Sequence, residues 1–251
     1  MKSLLVIIVV GYALFFLTFC SLQRQFLYYP QPASNIYGEM NIHFTVGSEK
    51  LHGWVVNEGQ PKALIYYGGN AENIEANIPF FNAVIPNYTV YLIPYRGYGN
   101  NPGTPTEASL YNDAVQIFEA IQNQHQSVSL MGRSLGSGIA TYVAANRQVD
   151  KLILVTPFDS IENVAKDIYW MFPVSWFIKD RYHSSNRAKE ITAQTYIFIA
   201  GKDQVISRSR TDQLIAEFGE QLQEVIVINN AGHNTISQYP EYTSGLKRAL
   251  D

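Results

Sequence analysis

The sequence contains little of what disulfide-bonded, metal-thiolate or nucleic-acid-binding proteins require. Only one cysteine occurs in 251 residues, which excludes an intramolecular disulfide framework and argues against a thiolate metal site. Charged residues make up 16% of the chain, the formal net charge is -3, and no basic patch is interleaved with aromatic residues. The sequence therefore gives no electrostatic basis for a nucleic-acid partner.

The chain does contain enough apolar sequence for one α/β domain, with 47% hydrophobic residues. Apolar or β-branched runs lie at residues 42–46, 51–56, 63–67, 90–93, 128–131, 152–155, 196–200 and 224–228. Helices are predicted near residues 73–85, 106–123, 135–147, 207–219 and 235–249. The first two runs are joined only by GSEK and predict an antiparallel hairpin, whereas the later runs are spaced for parallel strands with crossover helices. The fold class predicted is α/β, with a mostly parallel central sheet of about eight strands and helices on both faces.

The amino-terminal segment from Ser3 to Leu22 carries no charge and is long enough to cross a bilayer as a helix. Its end lacks the small-x-small pattern of a cleavage site, so we interpret residues 1–24 as an uncleaved transmembrane signal anchor. Residues 25–40 contain two prolines and no clear period, and we expect them to connect the anchor to a domain over residues 41–251.

The charges that flank this segment predict its orientation. Lys2 and the amino terminus outweigh Arg24, which favours a domain on the extracytoplasmic side of the membrane. Lipidation of Cys20 is an alternative, because LTFC resembles a bacterial lipoprotein processing site. Such sites place a small residue before the cysteine, whereas Phe19 is bulky, so we favour the signal anchor.

The stretch LMGRSLGSGIA, residues 130–140, places Ser134 between Gly132 and Gly136. It follows an apolar strand and opens a predicted helix, which is the context of a nucleophile elbow. Glycines on both sides of the serine allow the strand and the helix to approach closely. We therefore expect Ser134 to be a catalytic nucleophile at the carboxyl edge of the sheet.

A serine hydroxyl needs a base, and His233 is the histidine that follows the last predicted strand, in the loop NAGHNTI. We expect the other histidines to be solvated or structural; they are His43, His52, His125 and His183. Asp203 ends the preceding strand at the same edge and would orient the imidazole. The order Ser134, Asp203, His233 is that of an α/β-hydrolase, and Asp159 is the competing carboxylate.

Acyl transfer also needs hydrogen-bond donors for an oxyanion. The N–H that follows the nucleophile belongs to Leu135. A second donor is expected from the loop GGNAEN after the strand ALIYY, with Asn70 as the candidate and Ala71 as an alternative if the register differs.

Taken in order, YYGGNAEN, PYRGYGNNPGTPTE, GRSLGSG, GKDQVI and AGHN resemble the motifs of small serine hydrolases of the α/β-hydrolase superfamily. The chain is most similar to the membrane-anchored group that includes Bem46, the protein depalmitoylases and the S33 peptidase-like domains. The resemblance spans nearly the whole chain. Arg96 matches one position of the family motif, and the resemblance implies that its side chain forms a structural ion pair.

Two positions depart from the family pattern. Gly68-Gly69 stands where the family usually has His-Gly, and Pro94 stands where it commonly has Asp. Neither departure touches the three expected catalytic residues. The first one lies in the expected oxyanion loop and alters its sequence.

These observations predict a serine hydrolase of the carboxylic ester or thioester class that acts through an acyl-enzyme on a small-molecule or acyl substrate. This chemistry needs no cofactor and no metal. Residues 157–193 are rich in aromatic side chains, and we expect a small apolar cap there, with core packing as the alternative. Two other functions stay open: a serine peptidase that uses the same triad, and a catalytically silent, membrane-tethered interaction protein.

Overall fold

The computed structural model describes residues 2–251. Met1 lies outside the described residues, and so do the side chains of Lys2, Leu4, Leu5, Ile8, Val9, Ala13, Phe15, Phe19 and Cys20. The alternative of lipidation at Cys20 thus falls on a side chain outside the described residues.

Eight strands form the central sheet: β1 (Ile42–Val46), β2 (Glu49–Val56), β3 (Lys62–Tyr67), β4 (Tyr88–Leu92), β5 (Ser127–Arg133), β6 (Lys151–Val155), β7 (Gln194–Ala200) and β8 (Leu222–Ile228). Their spatial order is β1-β2-β4-β3-β5-β6-β7-β8. β1 and β2 form the predicted antiparallel hairpin, and β2 also pairs antiparallel with β4. The remaining five pairs are parallel, so the prediction of a mostly parallel sheet is confirmed.

The helices are α1 (Lys2–Leu27), α2 (Ile78–Val84), α3 (Glu107–Gln122), α4 (Leu135–Asn146), α5 (Ile161–Ile168), α6 (Val174–Phe177), α7 (Ser185–Ala188), α8 (Arg208–Ile215) and α9 (Pro240–Leu250). Short 3₁₀ helices cover Ile74–Asn77 and Ile236–Gln238. Alternate residues of a strand face opposite sides of a sheet. In β3, Ile65 and Tyr67 pack with α3, α4 and α8, whereas Leu64 and Tyr66 pack with α2 and α9. The sheet is thus buried on both faces.

Helix α3 illustrates how the sequence sets an element. Thr106 caps it, because the Thr106 hydroxyl accepts the N–H of Ser109 at 3.1 Å and the Ser109 hydroxyl accepts the N–H of Thr106 at 2.9 Å. Its buried apolar side chains recur three or four residues apart, at Leu110, Ala114, Ile117, Phe118 and Ile121. This stripe packs against the sheet beside α4.

Helix α1 extends past the predicted anchor and packs against the segment 157–193, which carries α5, α6 and α7. The Arg24 guanidinium pairs with the buried Asp180 carboxylate at 2.7 Å, and the hydroxyls of Tyr28 and Tyr182 lie 2.8 Å apart. The helix continues through Leu27, three residues into the stretch predicted as a connector.

Within the part of the chain that the structure describes, no helix is both long enough and apolar enough to cross a membrane. The transmembrane signal anchor stays a prediction of the sequence.

Candidate active site

Ser134 stands at the sharp turn between β5 and α4. Its backbone has φ 50° and ψ -117°, a conformation that a non-glycine residue holds only where the surrounding structure enforces it. The flanking glycines are sterically required. A Cβ atom on Gly132 would lie 2.4 Å from the Gly136 carbonyl oxygen, and one on Gly136 would lie 2.0 Å from the Tyr67 carbonyl oxygen. The strand–turn–helix context expected for Ser134 is present.

His233 lies in the loop after β8 and contacts both other predicted triad residues. Its Nε2 atom is 3.0 Å from the Ser134 hydroxyl oxygen, and its Nδ1 atom is 2.7 Å from Oδ2 of Asp203. Because an ionised carboxylate can only accept hydrogen bonds, Nδ1 carries the proton and Nε2 presents a lone pair to the serine hydroxyl. This is the tautomer that a general base requires.

Asp203 is held by the turn that follows β7. Its second carboxylate oxygen accepts the N–H groups of Val205 at 2.8 Å and Ile206 at 2.9 Å. These bonds fix the carboxylate in the orientation that meets His233. The three residues come from three loops at the carboxyl edge of the sheet, and the fold brings them into one hydrogen-bonded chain.

Asp159, the competing carboxylate, is buried and bonded elsewhere. It accepts the Ser160 N–H at 2.8 Å and the Asn163 side-chain amide at 2.6 Å, and it pairs with Arg210 at 3.2 Å. Asp159 therefore joins the start of α5 to α8.

The other histidines have different partners or sites. The His125 ring lies 2.8 Å from the Tyr91 hydroxyl, and His183 lies 3.4 Å from Glu162. His43 and His52 face each other across the β1–β2 hairpin.

Arg96 lies in the motif PYRGYGNNPGTPTE. Its guanidinium forms a bidentate ion pair with Asp113, which is the structural role that the resemblance implied.

The loop after β3 lies directly opposite the nucleophile. A Cβ atom on Gly69 would lie 3.7 Å from the Cβ atom of Ser134. The N–H of Gly69 is taken by the Glu72 carboxylate, whereas no acceptor among the described residues bonds the N–H of Asn70. The N–H of Leu135 lies in the first turn of α4, where helical N–H groups have no partner within the helix. The two expected donors are thus not engaged by a described acceptor, and their role in an oxyanion hole stays a prediction.

The side chain of Asn70 fixes this loop against the end of α1. Its Nδ2 atom donates to the Leu27 carbonyl oxygen at 2.7 Å, and its Oδ1 atom accepts from the Tyr29 N–H at 3.0 Å and the Tyr98 hydroxyl at 2.9 Å. The alternative donor, Ala71, has φ 57° and an exposed side chain.

A half-buried ion pair, which the sequence did not predict, links the loops of the site. Arg133 lies 3.4 Å from the Glu72 carboxylate, and its other guanidinium nitrogen donates to the His233 carbonyl oxygen at 3.4 Å. Burial lowers the pKa of Arg133, but the Glu72 charge and the Tyr66 side chain more than offset this, so the pKa is raised overall. The sequence contained a signal for this pair: Glu72 follows the expected donor Asn70 by two residues, and Arg133 directly precedes Ser134.

Two cavities are relevant to substrate binding, and His233 lines the first of them. An open depression of about 360 Å³ is lined by Lys202, Gln204, Val205, Asn230, Gly232, His233 and Asn234. A second cavity of about 160 Å³ is almost entirely apolar and lies between α1 and the segment 157–193. Its walls include Phe16, Leu27, Val164, Phe172 and Phe177. Leu27 is also the residue whose carbonyl oxygen accepts the hydrogen bond from the Asn70 side chain.

The described residues contain no group of three or more His, Cys, Asp and Glu side chains that could hold a metal ion. The charged groups of the site are engaged with one another.

A protein family and several known proteins are similar to this chain in sequence, and the family and one of these proteins are described as hydrolases. Residues 84–184 match the model of the family described as serine aminopeptidase, S33. The protein bem46 of Schizosaccharomyces pombe is 28% identical over 175 residues, which cover 64% of this chain and 56% of that protein. The lysophosphatidylserine lipase ABHD12 of Bos taurus is 33% identical over 139 residues, which cover 47% of this chain and 35% of that protein.

Among solved structures, the esterase Pf2001 of Pyrococcus furiosus is similar in fold. It superposes with a TM-score of 0.68 at 15% sequence identity and covers 89% of this chain and 94% of its own. At this identity the likeness concerns the fold alone.

Proposed function

The chain is an α/β-hydrolase of the Bem46-like group, and on this basis we propose that it is a serine hydrolase that cleaves an ester or thioester bond. The observation that carries the proposal is the hydrogen-bonded chain from Ser134 through His233 to Asp203. A strained serine, a base in the correct tautomer and a fixed carboxylate form the arrangement that activates a hydroxyl for acyl transfer.

In the proposed mechanism, the Ser134 oxygen attacks the acyl carbonyl carbon while His233 Nε2 takes the hydroxyl proton. The N–H groups of Leu135 and Asn70 stabilise the negative oxygen of the tetrahedral intermediate. The imidazolium, held by Asp203, then gives its proton to the leaving alcohol or thiol. Water attacks the acyl-enzyme with His233 again as base, which releases the acid and restores the serine.

The apolar cavity supports an acyl substrate. Its walls are mostly apolar side chains, such as those of Phe16, Val164 and Phe172, which suits a hydrocarbon chain and disfavours a charged one. Leu27 at the end of this cavity bonds Asn70, so a chain in the cavity would bring its carbonyl toward the proposed oxyanion loop. The description of one similar protein as a lysophosphatidylserine lipase agrees with this chemistry.

The alternative is hydrolysis of a peptide with a free amino terminus, as the family description suggests. An aminopeptidase needs an acidic group that receives the ammonium of the substrate. Glu72, the acid in the loop opposite Ser134, is already paired with Arg133. This pairing favours ester over amide substrates.

We further propose that residues 157–193 act as a small cap on the hydrolase domain that starts at residue 41. Helices α5 and α6 of this segment form one side of the apolar cavity. The cap would then select the acyl group, while the sheet supplies the catalytic residues.

A substrate panel tests the proposal. The full chain is assayed on p-nitrophenyl esters of rising acyl length and on aminoacyl p-nitroanilides, with Ser134→Ala as the blank. We expect ester hydrolysis whose kcat/KM rises with acyl length, and little activity on the anilides. Faster turnover of the anilides would favour the peptidase, and equal rates for Ser134→Ala would overturn the proposed nucleophile.

A further inference from the structure

The tip of the cap and the first helix together expose an unusually apolar surface. Trp170 and Trp176 are 78% and 80% exposed, and Met171 between them is 66% exposed. On α1, the exposed apolar side chains include those of Val6, Ile7, Val10, Leu14 and Leu17. We refer to these eight residues as the tip surface.

The two parts of the tip surface are joined by direct contacts. The Tyr12 ring stacks on Phe172 with ring centroids 5.2 Å apart, and the Tyr12 hydroxyl donates to the Met171 carbonyl oxygen at 3.4 Å. One turn later, Phe16 meets Phe177 edge-on at 4.3 Å. The middle of the charge-free segment 3–22 therefore lies at the same level as the tip of the cap.

Polar contacts hold the second half of α1 in the same place. The Gln23 side chain donates to the Phe177 carbonyl oxygen at 3.2 Å and accepts the Lys179 N–H at 2.8 Å. The Arg24–Asp180 ion pair adds a charge-assisted bond one residue further on. These contacts fix residues 12–27 of α1 along the cap.

This geometry decides how deeply α1 can enter a lipid bilayer. A span centred on Tyr12 would carry the irregular backbone around Phe172 into the hydrocarbon, where unpaired N–H and C=O groups are costly. Residues 3–11 precede the first of these described contacts, at Tyr12, and at about 1.5 Å per residue they reach roughly 14 Å. The hydrocarbon core is about 30 Å thick, so this length suits one leaflet.

We propose that the tip surface docks on a lipid membrane, with residues 3–11 in one leaflet and with Trp170 and Trp176 at the level of the head groups. Tryptophan and tyrosine prefer this interface, and the two indoles and Tyr12 all lie at the boundary between the charge-free helix and the cap. The exposed Lys179 follows Trp176 by three residues and would face the head groups, where a cation is attracted to anionic lipid.

The proposed docking also gives the apolar cavity a direct source of ligand. Phe16, Phe172 and Phe177 line this cavity and support the tip surface from behind. An acyl chain that leaves the bilayer at this place would enter the cavity without crossing water.

Vesicle binding by the full chain tests the proposal. Large unilamellar vesicles of phosphatidylcholine and phosphatidylglycerol are titrated against the wild type, the double variant Trp170→Gln/Trp176→Gln and the control Ile36→Gln. Ile36 is 74% exposed and lies outside the tip surface. We expect the double variant to lose about tenfold in the apparent partition coefficient, and the control to bind as the wild type does.

Depth-dependent quenching locates the indoles. Trp54 is buried and serves as the internal background, so the change on binding reports Trp170 and Trp176. We expect a blue shift of emission and stronger quenching by lipids labelled near the head group than by lipids labelled at the chain end. Three outcomes would each overturn the proposal. The first is stronger quenching by lipids labelled at the chain end, and the second is a partition coefficient of the double variant equal to that of the wild type. The third is a dimer that forms without vesicles and is lost in the double variant. These readouts do not depend on hydrolysis, so they stand or fall separately from the proposed catalytic activity.

Discussion

The Nε2 atom of His233 lies 3.0 Å from the Ser134 hydroxyl oxygen, although the two residues are 99 positions apart in the chain. The parallel sheet produces this contact, because β5 and β8 deliver the loops that follow them to the same edge. The distance is that of a hydrogen bond, so the proton that must leave the serine already has an acceptor in place.

Replacement of Asp203 separates the two candidate carboxylates. Asp203→Asn keeps the shape but no longer favours the productive tautomer of His233, and we expect kcat to fall by about 10³- to 10⁴-fold with little change in stability. Asp159→Asn weakens the contacts to Asn163 and Arg210, and we expect a loss of about 1–3 kcal/mol in the free energy of unfolding with most of the rate retained. Ester kinetics and denaturant unfolding measure both effects, and the reverse pattern would make Asp159 the catalytic carboxylate.

The close packing at the elbow predicts a stability effect at Gly136. A Cβ atom there would lie 2.0 Å from the Tyr67 carbonyl oxygen, a backbone atom that cannot move without shifting β3. We expect Gly136→Ala to cost about 3 kcal/mol in the free energy of unfolding. Gly219→Ala is the matched control, since its nearest neighbour is the end of the flexible Gln221 side chain at 3.1 Å. Equal denaturation midpoints for the two variants would contradict the packing described for the elbow.

The Glu72–Arg133 pair predicts a positioning effect on catalysis. Glu72→Gln removes the charge that holds Arg133 and weakens the bond to the Gly69 N–H, so the loop opposite Ser134 loses its anchor. We expect kcat to fall about tenfold with KM nearly unchanged, since the loop would act in the transition state. Glu75→Gln is a control on the same loop, because the Glu75 carboxylate binds residues 34 and 35 instead. If Glu75→Gln lowered kcat equally, general loosening of the loop would explain the effect better than the ion pair does.

Much of this molecule follows from the sequence because its signals are local. The pattern of a strand, a glycine-flanked serine and a helix predicted the turn that carries Ser134. The glycine turns after the last two strands predicted that Asp203 and His233 lie at the same edge of the sheet. The catalytic roles of all three, and of the donors Leu135 and Asn70, remain proposals.

What the sequence could not supply are contacts between distant segments. The packing of α1 on the cap joins Arg24 to Asp180 across 156 positions, and no local pattern marks such a pair. The end of α1 at Leu27 was missed for a related reason, since the helix is continued by its contacts with the cap and not by a stop signal in the sequence.

The base of the cap predicts a pH effect on stability. Burial raises the pKa of Glu162, but hydrogen bonds from Lys166 and Ser175 and the charge of Arg181 outweigh it and bring the pKa below the ordinary value of 4.5. A depressed folded-state pKa means that the carboxylate stabilises the fold above the unfolded-state pKa, and that this stabilisation is lost as pH falls through the folded-state pKa.

We therefore expect Glu162→Gln to be less stable than the wild type by about 1–3 kcal/mol near pH 7, and the difference to shrink as the pH falls below 4.5 toward 3. Denaturant titrations at the two pH values measure the difference. A gap that persists in acid would show that shape, and not charge, underlies the contribution of Glu162.

Labelling with a fluorophosphonate probe tests the central claim most directly, because such probes react covalently with an activated serine. The full chain is compared with Ser134→Ala and with Ser244→Ala, which removes an exposed serine hydroxyl far along the chain. The account predicts that the wild type and Ser244→Ala are labelled at Ser134 and that folded Ser134→Ala is not. Folded wild-type protein that takes up no label would contradict it and would favour a catalytically silent interaction protein.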